Sequence, residues 1–113
     1  MPYGRFRDAG LTIALGTDVA GGPSLSMFEQ MREAIGATGM SPAEALYLAT
    51  LAGATALGLS GKIGNFEAGK DADFVVADAK TYRDPPGALS TLCLHGDKRS
   101  VAEVYVRGNL MYF

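Results

Sequence analysis

The sequence predicts an α/β chain of two unlike halves: a helix-rich α/β unit over residues 1–60 and a small β-rich unit over 61–113. Three observations predict it. Leu11-Thr12-Ile13-Ala14-Leu15 is a short, uncharged, mostly apolar run between Gly10 and Gly16, which suits a strand buried on both faces. Apolar residues then recur at helical spacing through 24–57. Beyond residue 100 they alternate instead, with Ala102, Val104 and Val106 on one face and Glu103 and Arg107 on the other. There Gly108-Asn109 signals a hairpin turn, with 110–113 returning as the partner strand.

Each element has a local reason. Residues 3–9 read as the end of a helix, with Gly10 where a left-handed cap is needed. The run at 11–15 follows almost without a connection, as half of a βαβ unit. A parallel strand there requires neighbours that nothing after residue 16 supplies. Ser24 and Ser26 both offer N-caps, and Ser26 with Glu29 forms a capping box. Leu25, Phe28, Met31 and Ile35 make the apolar stripe, Met27 and Ala34 widen it, and Gly36 and Gly39 end it. The methionines read as adaptable core filler. Ser41-Pro42-Ala43-Glu44 opens a second helix with another capping box, running to Gly58 and apolar enough over 43–57 to be buried on more than one side. Gly61, Gly64 and Gly69 punctuate a charged loop, and Phe74–Ala77 reads as a short buried strand. Asp84-Pro85-Pro86-Gly87 reads as a turn or linker, since proline is excluded from helix interiors and central strands. Residues 88–94 are apolar and fit helix or strand equally.

Composition narrows the function classes. At 113 residues the chain is one domain's worth at most, and its 48% hydrophobic content suffices for a core. A net charge of −2 gives no basic field, which argues against a nucleic-acid partner. Cys93 has no second cysteine to pair with, which fits a reducing, cytoplasmic setting. No apolar run has the length of a membrane span, and the first residues lack the apolar core of a signal peptide.

The chemistry-bearing stretch is Gly16-Thr17-Asp18, which sets a carboxylate just past the carboxyl end of the apolar run. In α/β sheets and barrels that end is where ligands bind. Two readings of Asp18 stay open: a catalytic or metal-binding acid, or a turn-former whose side chain bonds nearby amides. Gly16, Gly21 and Gly22 do not form a phosphate-binding pattern. His95 reads as a surface or loop histidine, Asp71 and Asp73 as turn and strand-start residues, and Asp97-Lys98-Arg99 as a solvated loop. Cys93 reads as a small buried hydrophobe, and a single histidine supports no Ser-His-acid set.

Taken in order, several segments resemble the carboxyl-terminal part of the amidohydrolase superfamily. They are Gly16-Thr17-Asp18, Ser-Pro-Ala-Glu-Ala at 41–45, Ala49-Thr50 to Ala56-Leu57-Gly58-Leu59, and Ile63-Gly64 to Gly69-Lys70-Asp71-Ala72-Asp73. Within it, Gly-Thr-Asp-Val-Ala-Gly-Gly at 16–22, Ser-Leu-Ser-Met at 24–27 and Ile-Gly-Asn-Phe-Glu at 63–67 are similar to the guanine deaminases. Gly-Asp-Lys-Arg at 96–99 and Ala-Glu-Val-Tyr-Val at 102–106 add to that match. The resemblance implies that residues 1–60 are the last strand and helices of a metal-dependent (β/α)8 barrel, and 61–113 the carboxyl-terminal part of a β-sandwich. The barrel would be incomplete, because one of this kind takes about 250 residues. It further implies hydrolysis of guanine, a purine, to xanthine and ammonia with zinc as cofactor. Asp18 would be both metal ligand and catalytic residue, handling the proton of the attacking water. The family's other zinc ligands, a His-x-His pair and two further histidines, find no match here, where His95 stands alone. Catalytic zinc takes three protein ligands. The expectation is therefore a fragment inactive by itself, with a complementing amino-terminal segment or a homo-oligomeric partner. The alternatives are another aminohydrolase or chlorohydrolase of the superfamily, and a non-catalytic partner-binding module.

Overall fold

The computed structural model describes residues 1–22, 24–80 and 84–112. Helices α1 (Tyr3–Asp8), α2 (Met27–Thr38), α3 (Pro42–Ala49) and α4 (Leu51–Ala56) come first; β1 (Phe74–Ala77), α5 (Pro85–His95), β2 (Val101–Val106) and β3 (Asn109–Tyr112) follow. The strands form one antiparallel sheet in the order β1-β2-β3, with Phe74 opposite Tyr105 and Val106 opposite Asn109.

The core belongs to the helices. Tyr3, Met31, Met40, Ala45, Leu48, Ala52 and Cys93 form one buried cluster, with Ile13, Leu15, Phe28, Ile35 and Leu89 packed against it. Helices α2, α3 and α5 meet there, so the ambiguous run at 88–94 resolves as a helix that contributes Cys93 and Leu89. The alanines at 45 and 52 are almost wholly buried and let the backbones approach closely.

Capping decides several boundaries. Ser41 Oγ accepts the Glu44 N–H at 3.1 Å, as the α3 capping box requires. Its second half is absent, because the Glu44 carboxylate accepts the Tyr3 hydroxyl at 2.6 Å and so ties α1 to α3. In α2, Ser26 is the N-cap but its side chain caps nothing; Glu29 accepts from Ser24 Oγ instead. Gly36 lies inside α2, and Gly39, at φ 73°, ends it. The single helix expected over 43–57 is broken at Thr50, whose φ of −128° and ψ of −91° leave the helical region. The turn lets the loop at Gly64 pack onto α4, where a methyl group on Gly64 would come 2.9 Å from Ala54 Cβ.

Further expectations are corrected. Pro85 and Pro86 do not make a linker: they open α5, and Asp84 Oδ1 accepts the Gly87 N–H at 2.6 Å. First-turn amides have no intrahelical partner, so proline costs nothing there. The hairpin turn lies one residue earlier than expected, on Arg107 and Gly108 at φ 50° and 78°, with Asn109 already in β3. Both central residues left-handed is the mirror-image turn that matches strand twist. The third concerns 11–15, which is not a strand among the described residues and is not buried on both faces; Leu11 is 56% exposed. With no neighbouring strand to bond, it runs extended along α3, where the Leu15 N–H donates to the Leu48 carbonyl at 3.0 Å. Its side chains still alternate, Ile13, Leu15 and Thr17 half-buried and Thr12, Ala14 and Gly16 exposed. Likewise β1 is not buried, for Val75 and Val76 are exposed.

Candidate functional site

The extended segment delivers Asp18 to the surface. Ile13 and Leu15 anchor it to the core, and at Asp18 the backbone turns left-handed, with φ 49°, followed by Ala20 at φ 70°. Aspartate tolerates this region better than most residues, while alanine there is strained by roughly 1 kcal/mol or more. The Asp18 carbonyl accepts two amides, Gly21 N–H at 2.8 Å and Gly22 N–H at 2.6 Å. The turn-forming atom is thus the backbone oxygen and not the side chain. Among the described residues the Asp18 carboxylate accepts no hydrogen bond; it lies exposed across Gly21.

The loop is held at its far end as well. Ser24 Oγ bonds Glu29 and accepts the Ser26 N–H at 3.0 Å, and the Ser24 carbonyl accepts Gln30 Nε2 at 3.1 Å. Sequence reasoning missed this tether by pairing Glu29 with Ser26; the Ser24–Glu29 separation of five residues offers no capping signature.

The other singled-out residues lie elsewhere. His95 ends α5, is exposed, and lines a hollow of about 450 Å³ with Asp78, Lys80, Asp97 and Arg99. Arg99 pairs with Asp97 at 2.8 Å, and that hydrogen-bonded guanidinium holds the Asp97 carboxyl below the usual carboxylate range. Asp97 also caps a 3-10 turn over Lys98–Ser100 where a plain loop was expected. Asp73 Oδ1 accepts the Arg107 N–H at 2.8 Å and Asp71 lies 4.0 Å from the Arg107 guanidinium, so this acidic pair pins the hairpin turn. Cys93 is wholly buried, and burial pushes its thiol pKa up, away from the reactive thiolate.

A metal centre needs several of these groups in one place. Among the described residues no three of His, Cys, Asp and Glu gather closely enough to hold an ion. Asp18 does not line the hollow of His95. The donor set is one exposed carboxylate and does not fit a zinc centre, which takes three or four ligands.

A carboxylate presented from an extended segment beside a glycine turn, on an α/β frame, is the class of arrangement these elements define. Residues 5–111 match the amidohydrolase family, and the chain belongs to that family. It is 40% identical, over 95% of its length, to a probable guanine deaminase of Deinococcus radiodurans. The solved guanine deaminase of Escherichia coli superposes with a TM-score of 0.91 at 32% identity over 98% of this chain. An adenosine deaminase from Xanthomonas campestris, solved with bound zinc, superposes with a TM-score of 0.82 at 28% identity over 98% of this chain. The chain spans only about a quarter of their lengths: 26% of the first, 29% of the second and 28% of the third. These likenesses establish the α/β amidohydrolase fold. No described helix is long and apolar enough to cross a membrane.

Proposed function

We propose that this chain is the Asp-bearing corner of a guanine deaminase, a part of an enzyme that hydrolyses guanine to xanthine and ammonia. Residues 1–60 are assigned to the closing part of a (β/α)8 barrel and 61–113 to the carboxyl-terminal share of a β-sandwich. The carrying observation is the likeness to guanine deaminases over nearly the whole chain, with Asp18 at the end of its anchored extended segment. In this reading water first adds to the purine carbon that bears the amino group, and the C–N bond breaks afterwards, once the amino group has been protonated. The Asp18 carboxylate takes the water's proton and delivers it to the departing ammonia. Zinc is the proposed cofactor of the complete enzyme, with Asp18 as one ligand. One carboxylate does not hold it, so no step is routed through the metal.

The test uses the purified chain with and without a complementing segment carrying the remaining barrel strands. Alone, with zinc and guanine, it releases no ammonia above background; clear turnover would refute the reading. Complementation restores ammonia release, and Asp18→Asn abolishes it. Full activity in Asp18→Asn would remove the carboxylate from the mechanism.

A further inference from the structure

We infer that Gly21 and Gly22 are positioning residues for Asp18, Gly22 holding its backbone and Gly21 leaving the space its carboxylate occupies. The value of this placement for turnover rests on the reading of Asp18 given above; the placement itself rests on geometry. Neither glycine has a positive φ, so conformational freedom is not what the positions demand. Space is. A Cβ on Gly22 would fall onto the Thr17 carbonyl oxygen and lie 3.2 Å from the Thr17 carbonyl carbon. That carbonyl belongs to the extended segment anchored through Leu15, and the Gly22 N–H is itself bonded to the Asp18 carbonyl at 2.6 Å. A methyl group at 22 therefore pushes backbone against backbone.

Gly21 is different in kind. A Cβ there would stand 2.5 Å from Asp18 Oδ2 and 3.0 Å from Asp18 Cγ, the end of a side chain free to rotate. A methyl group at 21 turns the carboxylate away and leaves the main chain in place. Further along, Ser24 is bonded to Glu29 and Gln30. The two glycines thus separate two functions within one turn, direction of the acid at 21 and course of the backbone at 22.

The experiment compares Gly21→Ala and Gly22→Ala in the 113-residue chain by NMR, and then in the complemented enzyme. Gly21→Ala is expected to move the Asp18 carboxyl carbon resonance and side-chain χ1 couplings, with the Thr17 and Asp18 amide shifts and the melting temperature unchanged. Gly22→Ala is expected to move the Thr17 and Asp18 amides. In the complemented enzyme Gly21→Ala lowers kcat about a hundredfold with KM for guanine unchanged, the size of effect a misplaced group of about 1 Å produces. An Asp18 carboxyl resonance and χ1 unmoved by Gly21→Ala overturn the inference. So does full kcat in Gly21→Ala when Asp18→Asn is inactive. If the resonance moves while Asp18→Asn keeps full activity, the placement stands and the deaminase role of Asp18 falls.

Discussion

The helices and the sheet of this chain are built to different standards. Buried side chains cluster in and around α1, α2, α3, α4 and α5, where Met31 is 2% exposed and Cys93 is not exposed at all. In the sheet no strand residue is fully buried: every residue of β3 is exposed, and so are Val75 and Val76 of β1. The sheet is held by its ladder, by Phe74 stacked on Tyr105 at 4.5 Å, and by Asp73 pinning the hairpin turn. Close packing makes one region sensitive to a lost methylene; a ladder with open faces makes the other indifferent to most side chains. The same contrast bears on Asp18, whose segment is fastened to the packed half and not to the sheet.

The largest expected effect lies in the core. Met31→Ala leaves a cavity among α2, α3 and α5 and should cost about 3 kcal/mol in urea unfolding. A cost below about 1 kcal/mol would mean that the helices collapse around the gap and that the core is not close-packed. Next is Tyr3→Phe, which removes the hydroxyl bonded to Glu44 and should cost about 1 kcal/mol at neutral pH. That bond holds the phenol proton and, with burial, raises the Tyr3 pKa above its ordinary value. Its contribution is therefore complete below about pH 10, the unfolded value, and fades as pH rises through the raised folded value. The stability gap between parent and Tyr3→Phe should close in that alkaline range; a gap that stayed constant would detach Glu44 from the docking of α1. The smallest effect is in the sheet: Met111 is 65% exposed, and Met111→Ser should change stability by less than about 0.5 kcal/mol. A loss matching that of Met31→Ala would erase the difference between the two regions.

Legibility in the sequence followed the range of the interactions. The starts of α2, α3 and β2 and the whole of β1 could be placed to within a residue or two, because Ser26, Ser41-Pro42 and period-two alternation act over a few positions. Asp18 could be picked out because an acid between an apolar run and a glycine pair is a local pattern. The opening of α5 was misread although its signal was equally local: Asp84 before two prolines is an N-cap and first turn as much as a linker. The sequence places Glu29 and Glu44 in capping boxes at their own helix starts, but Ser24, just before the N-cap, claims the one and Tyr3, on distant α1, the other.

The amino-acid order by itself determined where α2, α3 and β2 begin, that the chain carries a lone cysteine and histidine, and that a carboxylate follows the apolar run at 11–15. Tertiary structure alone decided that this run lies extended on α3 instead of pairing in a sheet, that the helix breaks at Thr50, and that the Asp18 carboxylate rests across Gly21. The reason is physical. Caps and turns are completed by atoms a few residues away, whereas strand pairing, helix breaks and side-chain direction depend on which distant backbone arrives to bond or to exclude.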